Sequence, residues 1–149
     1  MEPTVRTLLS LTLLAALALA AQPAHADSAA DVEAAAHAYT LDVPQRLDLK
    51  VGETKQIRIA VVPNKGDHVS PEAPVSLNAA AADPFELPRA KLSRADSKTT
   101  DAQGIAFALP VAGKAKGQAE LKATLVFYIC VETLCAHQKR ELSIPVQVE

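Results

Sequence analysis

Tryptophan is absent from this chain of 149 residues, which holds only two tyrosines, three phenylalanines, five glycines, two cysteines and one methionine. These shortages close off several classes of function. Nucleic-acid surfaces draw on clustered cations and stacking aromatics. Here lysine and arginine are scattered and the formal net charge is −2, so no nucleic-acid partner is expected. With Met1 the sole methionine, copper has no thioether ligand in the body of the chain. No G-x-S-x-G, H-E-x-x-H or glycine-rich phosphate loop occurs, which leaves hydrolytic and phosphate chemistry without a motif. Ser93-Arg94-Ala95-Asp96-Ser97 reads as a loop rather than a nucleophile with its base, and the carboxylates read as solvated surface charge. No cofactor is expected, and no internal repeat is present.

The start of the chain reads as an address. Arg6 supplies a basic residue, Leu8 to Ala20 is apolar apart from Ser10 and Thr12, and Ala24-His25-Ala26 fits an A-x-A cleavage site. Residues 1–26 are therefore expected to be a signal peptide, cleaved after Ala26. The apolar run is short for a membrane span, and no later stretch approaches the ~20 apolar residues a spanning helix needs. No cysteine stands at the cleavage point to carry a lipid. The expected product is periplasmic or secreted, with no membrane insertion after cleavage, and at roughly 120 residues it has the size of one domain.

Residues 27–40 are alanine-rich without apolar periodicity, and are read as a mobile lead-in. From Leu41 to Glu149 the apolar period is two. Leu47, Leu49 and Val51 alternate with polar residues, as do Ile57, Ile59 and Val61; so do Ile105, Phe107, Leu109 and Val111. Leu121, Ala123, Leu125, Phe127 and Ile129 form the best inward face, and Leu142, Ile144, Val146 and Val148 the last. Short strands are expected at 75–77, 85–87 and 90–92, with a long surface loop over 93–103. Pro145 on the outward side of the last strand suggests an edge or a bulge. The sum is an all-β fold, an immunoglobulin-like antiparallel β-sandwich of about seven strands over residues 41–149, with a small barrel as the alternative.

Both cysteines fall in one stretch, Cys130-Val131-Glu132-Thr133-Leu134-Cys135, and nothing else in the chain looks equipped for covalent chemistry. In an oxidising compartment two cysteines generally bond to each other. If the odd positions from Leu121 to Ile129 are core, Cys130 falls with Val126 and Tyr128 on the other, more accessible face, near one end of the sandwich. A disulfide closing so short a loop stabilises by only about 2 kcal/mol on chain-entropy grounds, against more than about 4 for one that spans a domain. It is either a modest structural clip or a bond placed for exchange, since exchange requires a reachable sulfur. His137, Lys139 and Arg140 follow closely and favour a thiolate only if they converge on it. Cys130, Cys135 and His137 can also be read as metal ligands with His68 as the fourth, but tetrahedral zinc motifs space their cysteines more tightly, and no metal is expected.

Two segments together resemble a known family. Phe127-Tyr128-Ile129-Cys130-Val131-Glu132-Thr133-Leu134-Cys135, followed by Leu142-Ser143-Ile144-Pro145-Val146, resembles the closing part of the N-terminal periplasmic (alpha) domain of the thiol:disulfide interchange protein DsbD. Upstream, Gly66-Asp67-His68-Val69-Ser70-Pro71-Glu72-Ala73-Pro74-Val75-Ser76-Leu77 is similar to the G-x-H-x-x-x-x-x-P stretch of domains of that family. The resemblance extends over most of the chain after Leu47, in the same order. It implies an immunoglobulin-like fold, here as a stand-alone secreted domain. It also implies that Cys130 and Cys135 are a redox pair passing electrons between a membrane redox protein and periplasmic thioredoxin-like partners. Asp83-Pro84-Phe85 is the candidate for a cap over the disulfide. The competing reading is a non-enzymatic secreted immunoglobulin-like protein-binding module with a structural disulfide.

Overall fold

Every stretch with a clear two-residue apolar period forms strand. The computed structural model of the chain describes residues 29–149; the signal peptide expected over 1–26 lies outside them. In chain order the elements are a helix α1 (Ala29–Ala36) and strands β1 (Tyr39–Asp42), β2 (Leu47–Leu49), β3 (Thr54–Pro63), β4 (His68–Val69), β5 (Ser76–Ala80), β6 (Phe85–Glu86), β7 (Lys91–Ser93), β8 (Ser97–Thr99), β9 (Ile105–Gly113), β10 (Gly117–Cys130) and β11 (Cys135–Val148). A short 3-10 turn, Arg94–Asp96, separates β7 from β8.

The strands form two sheets. One runs β1-β3-β9, with β6 and β8 pairing at opposite ends of the far side of β9; the other runs β2-β11-β10-β5-β7, with β4 beside the end of β10. Thus β1, β3, β9 and β8 take the places of immunoglobulin strands A, B, E and D, and β11, β10, β5 and β7 those of G, F, C and C′. The fold is an all-β sandwich of immunoglobulin-like type. One sheet is mixed rather than antiparallel, because β2 runs parallel to β11 over Val146–Val148. Pro145 stands opposite Glu120, one residue before that pairing begins. Pro110 falls between the stretches of β9 used by β8 and β6. Both prolines therefore sit where a ladder donor is dispensable.

The core lies between the sheets. Phe85, Phe107 and Phe127 are all at most 1% exposed, and Ile59, Val61, Leu77, Leu109, Leu121, Leu125 and Ile129 surround them. Burying a side chain of that size stabilises by roughly 1.5–3 kcal/mol, so these inward rows supply the main drive for folding. The B–F staple of antibody domains has no counterpart here: β3 and β10 contribute Ile59 and Phe127 to one apolar core, while the cysteines sit at the F–G corner.

Three short strands, β1, β4 and β8, add to the expected set, and two expectations are corrected. The stretch read as a mobile lead-in contains α1 and the start of β1, and its Ala35 and Ala38 are 0% and 3% exposed. The packed domain therefore begins before Leu41. Alanine has little apolar area and shows no periodic stripe, but its small side chain lets the helix lie close. Asn64 ties down the end of α1: its side-chain amide donates to the His37 carbonyl at 2.9 Å and its backbone N–H to the Ala38 carbonyl at 2.8 Å.

The expected loop 93–103 instead holds the 3-10 turn and β8. Its order is made of polar bonds, which leave no hydrophobic pattern. The Asp96 carboxylate accepts the Ser93 backbone N–H at 2.8 Å and the Ser93 hydroxyl at 3.1 Å, a capping arrangement rather than a nucleophile and its base. Arg94 donates to the carbonyls of Ser70 at 2.7 Å and Ala73 at 2.9 and 2.5 Å, holding the turn after β4. Gly104 closes the following loop where only glycine fits, since a Cβ there would stand 2.0 Å from the Val61 carbonyl oxygen.

The Asp96 carboxyl is held below the usual range by the Ser93 backbone N–H and by Arg89, whose guanidinium lies 2.5 Å away. A group with a lowered folded pKa contributes stability above its unfolded pKa, about 3.9 for Asp, and loses it as pH falls through the folded value. Asp96→Asn should therefore lower the urea midpoint at neutral pH. The gap between variant and parent should shrink as pH falls from 5 to 3; a constant gap would show that the carboxylate charge does not matter.

Candidate functional site

All fourteen residues of β10 are paired to β11 in one unbroken register that ends at Cys130 opposite Cys135. The turn between them is closed by the Val131 N–H donating to the Leu134 carbonyl at 2.9 Å. Side chains on directly opposed residues share a face, and the two sulfurs are bonded, S–S 1.98 Å. Alternation from the buried Leu121, Leu125 and Ile129 puts Cys130 on the outer face, as the sequence predicted. Its accessibility is a correction. Cys130 is only 3% exposed, and β4 runs along its other side, with His68 opposite Cys130 and Val69 opposite Ile129. The Ser70 N–H extends this pairing to the Tyr128 carbonyl at 2.9 Å, and the Val69 N–H donates to the Gln103 carbonyl at 3.0 Å on the other flank. Cys135 remains exposed. The disulfide thus joins a buried residue to an exposed one.

The three basic residues after Cys135 do not converge. His137 and Lys139 share its outer face, where the His137 ring meets the edge of Tyr128 at 5.2 Å between centroids. Lys139 is drawn to Glu141, at 3.2 Å; the Glu141 carboxyl is held below its usual range by the Thr124 hydroxyl and by Lys139. Arg140 turns inward and sits 5.4 Å over the Tyr39 ring. Burial raises the Tyr39 pKa, with Arg140 opposing it.

Support for the hairpin comes from elements distant in sequence. Tyr39 packs edge-on to Phe127 at 4.8 Å and donates its hydroxyl proton to Gln138 Oε1 at 3.1 Å. Gln138 is 6% exposed. At the tip, the Thr133 hydroxyl donates to Asp31 of α1 at 3.1 Å. Sequence reasoning missed these supports, although a polar Gln138 at a core position of the strand was a legible signal. Asp83-Pro84-Phe85 is not a cap. Phe85 pairs with Gly113, and the Pro84 carbonyl accepts the Lys114 N–H at 2.9 Å, at the opposite end of β10 from Cys130. Among the described residues no three His, Cys, Asp or Glu side chains are grouped to hold a metal ion, and both sulfurs are used by the disulfide. No described helix is long and apolar enough to cross a membrane.

No protein-family model matches the chain, and no curated protein does. Solved structures share its general architecture. A fragment of Escherichia coli alpha-2-macroglobulin aligns at 19% identity and TM-score 0.39 over 74% of this chain and 16% of that one. Murine CRIg aligns at 10% identity and TM-score 0.40, over 74% of this chain and 98% of its own. The native Escherichia coli alpha-2-macroglobulin aligns at 14% identity and TM-score 0.40, over 74% of this chain and 7% of that one. This chain therefore spans less than a fifth of either alpha-2-macroglobulin chain, and likenesses this distant carry no functional argument.

The burial asymmetry makes a direct prediction. After mild reduction, Cys135 should be alkylated by iodoacetamide at least about tenfold faster than Cys130, because reactivity follows exposure and thiolate character. Peptide mass mapping during the reaction would read this, and equal rates would show that β4 does not cover Cys130 in solution.

Proposed function

We propose that this domain exchanges thiols and disulfides with other proteins through the Cys130–Cys135 pair, relaying electrons between a membrane redox protein and thioredoxin-like partners in the periplasm. The observation that carries the reading is a disulfide between a buried cysteine and an exposed one at the tip of a hairpin. That hairpin is already held by a fourteen-residue ladder, so the bond adds little to stability. The resemblance of the cysteine segment and of the Gly66–Pro74 stretch to the DsbD alpha domain points the same way, and the two segments lie side by side at β4 and β10.

The exposure of Cys135 supports the following order of events. A partner thiolate attacks Cys135 Sγ; the bond to Cys130 breaks, and its electron pair leaves on Cys130 Sγ. A second partner thiol then attacks the partner's sulfur of the mixed disulfide. The partner leaves oxidised and this chain holds two thiols, having gained two electrons and two protons. Running the steps in reverse reduces the next partner: Cys135 attacks its disulfide, and Cys130 then attacks Cys135 Sγ to release it. In this scheme Cys135 makes the intermolecular bond and Cys130 resolves it.

Two measurements test this. The reduction potential should lie within the range of exchanging pairs, above about −300 mV; a lower value would make the bond structural. The chain carrying Cys130→Ala should accumulate mixed disulfides with partner proteins when expressed in the periplasm, and the one carrying Cys135→Ala should not. The competing reading, a protein-binding module with a clip, predicts no trapped species from either. The double substitution Cys130→Ala, Cys135→Ala should cost only about 2 kcal/mol in urea unfolding, leaving the fold intact.

A further inference from the structure

Across three neighbouring strands the outer face carries a row of side chains: His68 on β4 stands opposite Cys130 on β10, which stands opposite Cys135 on β11. The exchange proposed above, on which this inference rests, requires Cys130 to depart as the leaving sulfur. At 3% exposure it departs into a site with almost no water. Desolvation disfavours a thiolate there, so the departing sulfur needs a proton or a positive neighbour.

The ionisable groups around this position come from five parts of the chain. Glu132 lies two residues on, exposed in the turn that the disulfide closes. Tyr128 lies two residues back on β10. His137 lies diagonally across on β11, exposed and with its ring against Tyr128. Arg94 lines the same crevice as His68, but its guanidinium is engaged by the Ser70 and Ala73 carbonyls. Asp67 and Glu72 flank β4 in the chain. His68 alone stands directly opposite Cys130. It is half-buried, and among the described residues its imidazole has no hydrogen-bond or ion-pair partner.

We propose that His68 is the acid–base partner of Cys130 in the exchange reaction. As a thiolate attacks Cys135 Sγ and the sulfur–sulfur bond breaks, the electron pair moves to Cys130 Sγ and the His68 imidazolium passes its proton to it. The products are the mixed disulfide on Cys135, a neutral thiol at Cys130 and a neutral imidazole. In the return step the neutral imidazole takes that proton as Cys130 attacks Cys135 Sγ and releases the partner thiolate. The chemistry suits histidine, whose ordinary pKa of about 6.5 lets it serve both directions near neutral pH.

The test uses the oxidised full chain and dithiothreitol, so it needs no natural partner. Reduction rates are measured from pH 5 to 9 and divided by the thiolate fraction of the reagent. The corrected rate should fall through a single inflection as pH rises, with the acid limb about tenfold above the alkaline one, because exchange quickens as the leaving thiol is more easily released. His68→Gln should flatten the profile by lowering the acid-limb rate about tenfold to the alkaline value, whereas His137→Gln should keep the inflection. A profile unchanged in His68→Gln, or one flattened by His137→Gln, would overturn the proposal. A check without substitution is the NMR titration of the imidazoles in the oxidised chain: the kinetic inflection should coincide with the His68 midpoint, and a mismatch also overturns it. A reduction potential below about −300 mV would remove the exchange function yet leave this pH profile readable, so the two failures are distinct.

Discussion

Fourteen residues of β10 lie opposite fourteen of β11 without a bulge, and because strand side chains alternate strictly, that single register decides what faces the core and what faces outward. A slip of one residue would exchange Leu121, Leu125, Phe127 and Ile129 for the polar row of Lys122, Thr124 and Tyr128. The burial of the inward row makes such a slip prohibitive. The same register brings Cys130 and Cys135 face to face at the end of the ladder, so the hydrophobic term that holds the sandwich together also fixes the position of its sulfur chemistry.

Around that end the chain gathers segments that are far apart in sequence. α1 reaches the hairpin tip through Asp31 and Thr133, and Asn64 anchors its last turn. Arg94 holds the turn after β4, and β4 in turn walls off one sulfur. None of these contacts is large by itself. Most are exposed or part-buried hydrogen bonds that contribute on the order of 1 kcal/mol net. The disulfide they surround joins a buried residue, Cys130, to an exposed one, Cys135.

The disulfide also sits where an immunoglobulin-like scaffold has most freedom. The F–G corner and the connection between β3 and β5 lie at the same end of the sandwich, outside the packed rows. A B–F disulfide would be enclosed by both sheets and shielded from partners. Here the centre of the sandwich is left to hydrocarbon, with Phe127 and Ile59 within it, and the disulfide lies at the rim.

Much of this was legible from the residues. The two-residue period located the inward rows of β2, β3, β9, β10 and β11, the alternation from Leu121 placed Cys130 on the outer face, and the composition pointed to one bonded cysteine pair. These features are local, governed by strand geometry and the burial of apolar side chains, and a sequence displays them directly. What only the tertiary structure decided are the features made by polar or very small groups acting at long range. The packing of Ala35 and Ala38, the Tyr39–Gln138 bond, the role of Arg94, and the passage of β4 beside Cys130 with His68 opposite it leave no periodic trace. They depend on which segments meet when the sheets close, and a hydrogen bond between residues twenty to a hundred positions apart has no signature in either one's neighbours.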